Sequence, residues 1–139
     1  MLQFIATNLD PACQKDALTY AIARISKCLT AEKLITDRCK KVNIPGTKTP
    51  NHKYWLFPVV VDSPDDVCKF MAAKGFDVTR GTSQLGCVED YFRSFSSASN
   101  APRLTPTCTS IMNNLVYLPI TPEMSDKNLI RLVTYLNLA

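Results

Sequence analysis

Apolar and polar positions along the chain follow two rhythms, and each predicts an element. In the first 42 residues Leu18, Ile22, Ile25 and Leu29 recur at intervals of four, three and four, the spacing of one helical face. Asp10 followed by Pro11 makes a helix start, with a side-chain acceptor at the cap and a proline where no amide hydrogen is needed. Thr30 offers a second start, with Leu34, Ile35 and Cys39 on the apolar side. Residues 10–42 are therefore one long helix or two joined at Thr30. At 1.5 Å per residue the single helix is about 48 Å long, more than a small domain requires. A helix of that length bridges domains or crosses a subunit interface.

The stretch "NIPGTKTPN" from Asn43 to Asn51 is a loop, with two prolines and a glycine. The next stretch, "HKYWLFPVVVD", is aromatic and β-branched without polar alternation, which predicts a central, well-covered strand. Pro58 interrupts it and demands a bulge or one-sided pairing. Ser63 is placed to cap a helix with Pro64 in its first position and Asp65 and Asp66 in its first turn. Val67, Phe70 and Met71 supply its buried face, and Gly75 its left-handed stop. Phe76 to Thr79 reads as a second strand, Gly86 to Phe95 as a short helix, and Ser96 to Thr109 as an exposed excursion. "NNLVYLPI" is a third strand. Ser125 caps a last helix, with Met124 and Leu129 as a hydrophobic staple and Leu129, Ile130, Leu132, Val133 and Leu136 on its apolar face.

This order predicts an α/β (α+β) fold: a two-layer sandwich of a small three- to four-stranded sheet with helices on one face, preceded by a long N-terminal helix. Residues 1–42 would be a helical connector or interface segment, and residues 43–139 a small α/β domain. The 139 residues suffice for one such domain without crosslinks.

Composition narrows the function. The net charge of +4 is mild, and Lys40–Lys41 is too short for a basic tail, so no nucleic-acid partner is expected. No run approaches the roughly 18 apolar residues of a membrane span, and the N-terminus lacks the basic start of a signal peptide. The six cysteines form no CxxC pair, which points to reduced thiols and a cytoplasmic setting.

Little catalytic chemistry is visible. His52 is the only histidine, so a hydrolase using a Cys-His or Ser-His pair would have to use it. One histidine and no paired cysteines supply no zinc site of ordinary spacing, and the helix dipole accounts for the cluster Asp62, Asp65 and Asp66. Neither a Walker A sequence nor GxGxxG is present. "TRGTSQLG" is the one polar stretch with ligand-binding character: Arg80 could meet a carboxylate or phosphate, and Thr82, Ser83 and Gln84 offer hydrogen bonds. A hydrated turn is the alternative reading of the same residues.

The segment "KYWLFPVVVDSPDDVCKFMAAKGFDVTRGTSQL" resembles the opening of the small C-terminal domain in DegT/StrS-type aminotransferases. "NNLVYLPITPEMSDKNLIRLVTYL" resembles that family's closing strand, turn and helix, and residues 10–42 resemble its interdomain helix. These are fold-type-I pyridoxal-phosphate enzymes. The resemblance implies a parent transaminase and a missing large domain that holds the Schiff-base lysine, the pyridine-pairing aspartate and the phosphate cup. This chain alone would then hold no catalytic residue and bind no cofactor. It would close over a cleft, with Arg80, Thr82, Ser83 and Gln84 as the substrate- or cofactor-facing loop and His52, Asn113 and Asn114 as possible cleft residues. Aspartate-type relatives place a carboxylate-binding arginine near the last strand, where this chain has Asn113 and Asn114. Self-association through the long helix is expected, since its apolar face otherwise lacks cover. The alternative is a non-enzymatic α/β binding or oligomerisation module.

Overall fold

The computed structural model describes residues 11–49, 55–81 and 106–139. Six elements follow one another: α1 (Pro11–Arg38), β1 (Phe57–Val60), α2 (Pro64–Ala73), α3 (Pro106–Asn113), β2 (Leu115–Leu118) and α4 (Asp126–Leu138). The mixed α/β fold with a long first helix is the one expected.

The first helix runs unbroken through Thr30, which starts no new segment. Its hydroxyl instead donates to the Ser26 carbonyl one turn back, at 3.1 Å, a bond that a helix interior tolerates. The periodic residues face the wrong way for a core: Leu18, Ile22 and Leu29 are exposed, and Ile25 is half-buried. The buried stripe is Cys28, Ala31, Ile35 and Cys39, which packs against α4. Thus the second half of α1 joins the core, while residues 15–23 stand exposed.

β1 and β2 pair antiparallel, with Phe57 opposite Leu118 and Val60 opposite Leu115. Single bridges, Asn43 to Val60 and Thr79 to Tyr117, extend this pair on both sides, giving the order Asn43 segment, β1, β2, Thr79 segment. The expected Phe76–Thr79 strand is reduced to that one bridge. The Val78 amide turns back to the Phe76 carbonyl at 3.0 Å, and this i to i+2 turn prevents a longer extended run.

Pro58 needs no bulge. Tyr117 directs its amide and carbonyl outward to Thr79, so its pairing with Pro58 is a non-hydrogen-bonded one. The Pro58 nitrogen accordingly faces the outer edge of β1, on the side where Val60 meets Asn43. One-sided pairing is the solution the sheet adopts.

Phe57, Val59, Val116 and Leu118 share one sheet face and enter the core with Val67 and Met71 of α2 and Leu129, Leu132, Val133 and Leu136 of α4. Burial of that many aliphatic side chains, at about 25 cal/mol per Å² of apolar surface, is the dominant stabilising term. Ile130, expected on the inner face of α4, is 43% exposed.

The helix ends show which capping signals operate. Ser125 accepts from the Asn128 amide at 3.2 Å, and Met124 packs against the core to which Leu129 belongs. Ser63 makes no side-chain capping bond, so the proline at the helix start and the first-turn aspartates serve instead. Gly75 lies at φ +85°, where the Gly75 amide reaches Ala72 and the Phe76 amide reaches Met71, each at 3.0 Å. Pro106–Asn113 is helical, so residues 106–109 are not the exposed excursion expected of them, and the rest of that expected stretch lies outside the described residues. Proline at the first helical position and Cys108, Ile111 and Met112 turned partly inward account for the helix. The expected helix from Gly86 to Phe95 lies outside the described residues. Among the described residues no helix is long and apolar enough to cross a membrane.

Candidate functional site

Arg80 leaves the sheet immediately after the Thr79 bridge, held over the start of α2 and the end of α3. Its Nη1 donates to Asp65 Oδ1 at 2.8 Å, and its Nη2 donates to the Asn113 carbonyl at 3.0 Å. Each partner is where elementary helix chemistry favours it. Asp65 sits in the first turn of α2, where the helix dipole favours an anion, and the Asn113 carbonyl belongs to the last turn of α3, which favours a cation. The structure thus brings two sequence-selected residues together, Arg80 and Asn113. It adds Asp65, which the sequence presented only as a helix-dipole residue.

Asn114 has a different duty. Its amide donates to the Ser110 and Ile111 carbonyls, and its carbonyl accepts from the Val61 amide at 3.0 Å, so its backbone joins α3 to the sheet. Thr82, Ser83, Gln84 and His52 lie outside the described residues.

The Arg80 side chain is 39% exposed and that of Asp65 is 72% exposed, so the cluster forms a wet rim rather than a buried charge site. Cys68 lies within electrostatic reach of both. Burial pushes its thiol up, Arg80 pulls it partly back, and Asp65 pushes it up again. The net upward shift keeps the thiol protonated and a poor nucleophile at neutral pH. Cys28, Cys39 and Cys68 are free thiols, and burial raises the first to about 11. Among the described residues no three His, Cys, Asp or Glu side chains gather as a metal site.

A cavity of about 290 Å³ opens at the opposite end of the sheet, lined by Arg24, Asp77, Thr79, Tyr117 and Thr121 over an apolar floor that includes Phe57 and Ile120. The antiparallel register fixes this separation. Residues after Thr79 run toward Asn114, and residues before it run toward Pro119. Arg24 reaches from α1 to the Trp55 carbonyl at 2.6 Å and closes one wall. The sequence singled out neither Arg24 nor Asp77, because a periodic helix and a strand end carry no local mark of a shared cavity.

The described residues thus form an α/β unit with a long leading helix, a small antiparallel sheet and a charged rim. Solved structures place this fold more closely. A DegT DnrJ EryC1 StrS aminotransferase from Brucella abortus matches with a TM-score of 0.63 at 16% identity, over 85% of this chain and 30% of that one. PseC of Helicobacter pylori, an aminotransferase involved in the biosynthesis of pseudoaminic acid, matches at 0.66 and 12%, over 88% of this chain and 33% of that one. NtdA of Bacillus subtilis, with bound cofactor PMP, matches at 0.53 and 14%, over 84% and 28%. The chain therefore has the fold of part of these aminotransferases and spans about 30% of their length. The sequence matches no protein-family model, and no curated protein is significantly similar to it.

Proposed function

We propose that this chain is the small, C-terminal domain of an aminotransferase-like protein that uses pyridoxal phosphate, and that it forms one wall of a cleft. One observation carries this reading: solved aminotransferases match most of this chain, while this chain matches less than a third of most of them. The loop that opens at Arg80 is assigned to substrate-side contacts, with Thr82, Ser83 and Gln84 following it and Asn113 on the rim. The parent reaction would move an amino group to or from a small carbonyl compound such as a keto sugar. The free thiols Cys28, Cys39 and Cys68 favour a cytosolic setting.

The described residues do not fit the cofactor as a resident group. A Schiff-base lysine needs shelter from water and an unprotonated amine. Lys27 is the half-buried lysine among those described, and its Nζ is engaged by the Asp126 carboxylate at 2.8 Å. That hydrogen bond, reinforced by the charge of Lys27, holds the exposed Asp126 carboxyl below its ordinary range. No chemical step is therefore assigned to this chain. It closes, orients and excludes water, and the electron sink belongs to the larger part of the protein.

The test is a titration of the purified chain with pyridoxal phosphate. The expected result is no internal-aldimine absorbance and no borohydride-trappable adduct. A stoichiometric adduct at a single lysine would overturn the reading.

A further inference from the structure

The cavity at the far end of the sheet from Arg80 carries charge of both signs over an apolar floor. Its volume of about 290 Å³ stands near the small end of the range for ligand pockets, about 300–1,000 Å³, so it suits one small molecule. Leu56, Phe57, Leu118 and Ile120 supply apolar surface, and Arg24 and Asp77 stand on the walls.

These two charges do not close on each other. Arg24 turns its Nη2 to the Trp55 carbonyl at 2.6 Å, and Asp77 has no ion-pair partner among the described residues. Opposite charges attract more strongly over an apolar floor than in open water, so the tie to the Trp55 backbone is what keeps this pair apart. A guanidinium carries five N–H donors in a rigid fork and can hold a carbonyl and an anion at once.

A ligand must answer all of these features together. A simple anion suits Arg24 and is repelled by Asp77. A simple cation suits Asp77 and is repelled by Arg24. A neutral polyol meets both charges but sets hydroxyls on an apolar floor, where they lose their hydrogen bonds to water. A small zwitterion with an apolar body meets every requirement. We propose that this cavity binds a free α-amino acid with an apolar side chain. Its carboxylate faces Arg24, its ammonium faces Asp77, and its side chain lies on Leu56, Phe57 and Ile120. Both head groups then make charge-assisted hydrogen bonds, which are the strong and directional kind. No bond is made or broken there, and neither the cofactor nor the Arg80 rim takes part.

The experiment is isothermal titration calorimetry of the full 139-residue chain with L-leucine, with Trp55 emission as a second readout. Trp55 is the only tryptophan, it is 77% exposed, and it directly precedes the lining residues Leu56 and Phe57. Saturable binding with a shift in that emission is expected. Leucinamide lacks the carboxylate and N-acetyl-leucine lacks the ammonium, and each is expected to bind about tenfold more weakly. Glucose is expected to bind more weakly still. Asp77→Asn, at an exposed position, removes the advantage of leucine over N-acetyl-leucine. Arg24→Gln, whose amide can still donate to the Trp55 carbonyl, removes its advantage over leucinamide. A chain that takes up no leucine overturns the proposal. So does equal binding of leucine and its two derivatives, tighter binding of glucose, or a leucine affinity indifferent to Asp77→Asn. Pyridoxal phosphate is absent from every titration, so these outcomes stand apart from the test of the small-domain reading.

Discussion

Arg80 ties three segments together through one planar group: the sheet edge after Thr79, the start of α2 and the end of α3. Arg80→Ala removes both bonds at once. The ion pair is largely hydrated, so the expected loss is about 1 kcal/mol, most of it from the charged bond to the Asn113 carbonyl. Arg80→Lys should fall between, since a single ammonium cannot span both acceptors in a fixed fork. Urea unfolding of the two variants measures the difference. Cys28 gives a pH signature. Burial raises its thiol from 9.0 to about 11, and Arg24 offsets a part of that rise. The unfolded chain therefore releases this proton at lower pH than the folded chain. The stability this provides is complete below pH 9.0 and is lost as pH climbs toward about 11. Unfolding curves measured across that window should fall less steeply with pH for Cys28→Ala than for the wild type. The sequence marked Arg80 and Asn113 but could not join them to Asp65, because these bonds link residues 33 and 15 positions apart.

Element by element, the local signals that acted through the backbone held best. Gly75 is one: at φ +85° a β-carbon would meet nothing within 4 Å, so any cost of adding one is backbone strain alone. Gly75→Ala should therefore lower stability by about 1 kcal/mol, and Gly75→Asn by less, because asparagine tolerates the left-handed region. Thermal melts of the two variants test this order. Ser125 and Pro64 act as read, while Ser63 and Thr30 do not. A serine or threonine caps a helix through its side chain only where the chain leaves the helix at it and its hydroxyl is turned onto a free first-turn amide. Ser63 stands at the N-cap and its carbonyl accepts from the Val67 amide at 3.0 Å, but its side chain makes no capping bond, and Thr30 lies inside a helix that both its flanks favour. The Phe76–Thr79 stretch has strand residues, yet the turn at Val78 spends its extension on a single bridge.

At the scale of the molecule, α4 is the hub, packed against both α1 and α2. Leu132 of α4 is fully buried in the common core. Leu132→Ala should cost about 2–5 kcal/mol through lost burial and the cavity left behind. That is a large share of the about 5–15 kcal/mol that holds a domain together, and urea midpoints will show it. The sequence by itself determined the types of α1, β1, α2, β2 and α4, the Gly75 and Ser125 ends, and the class of fold, because these depend on neighbours within a turn or two. Only the tertiary structure decided which face of α1 is buried. Two stripes about 100° apart are equally apolar to a reader of spacing, and the choice between them depends on where α4 lies. It likewise decided that Arg80 meets Asp65, that Pro58 turns its nitrogen to an edge, and that Arg24 and Asp77 share a cavity. Each of these depends on strand order and register, which are set by the packing of surfaces distant in the chain.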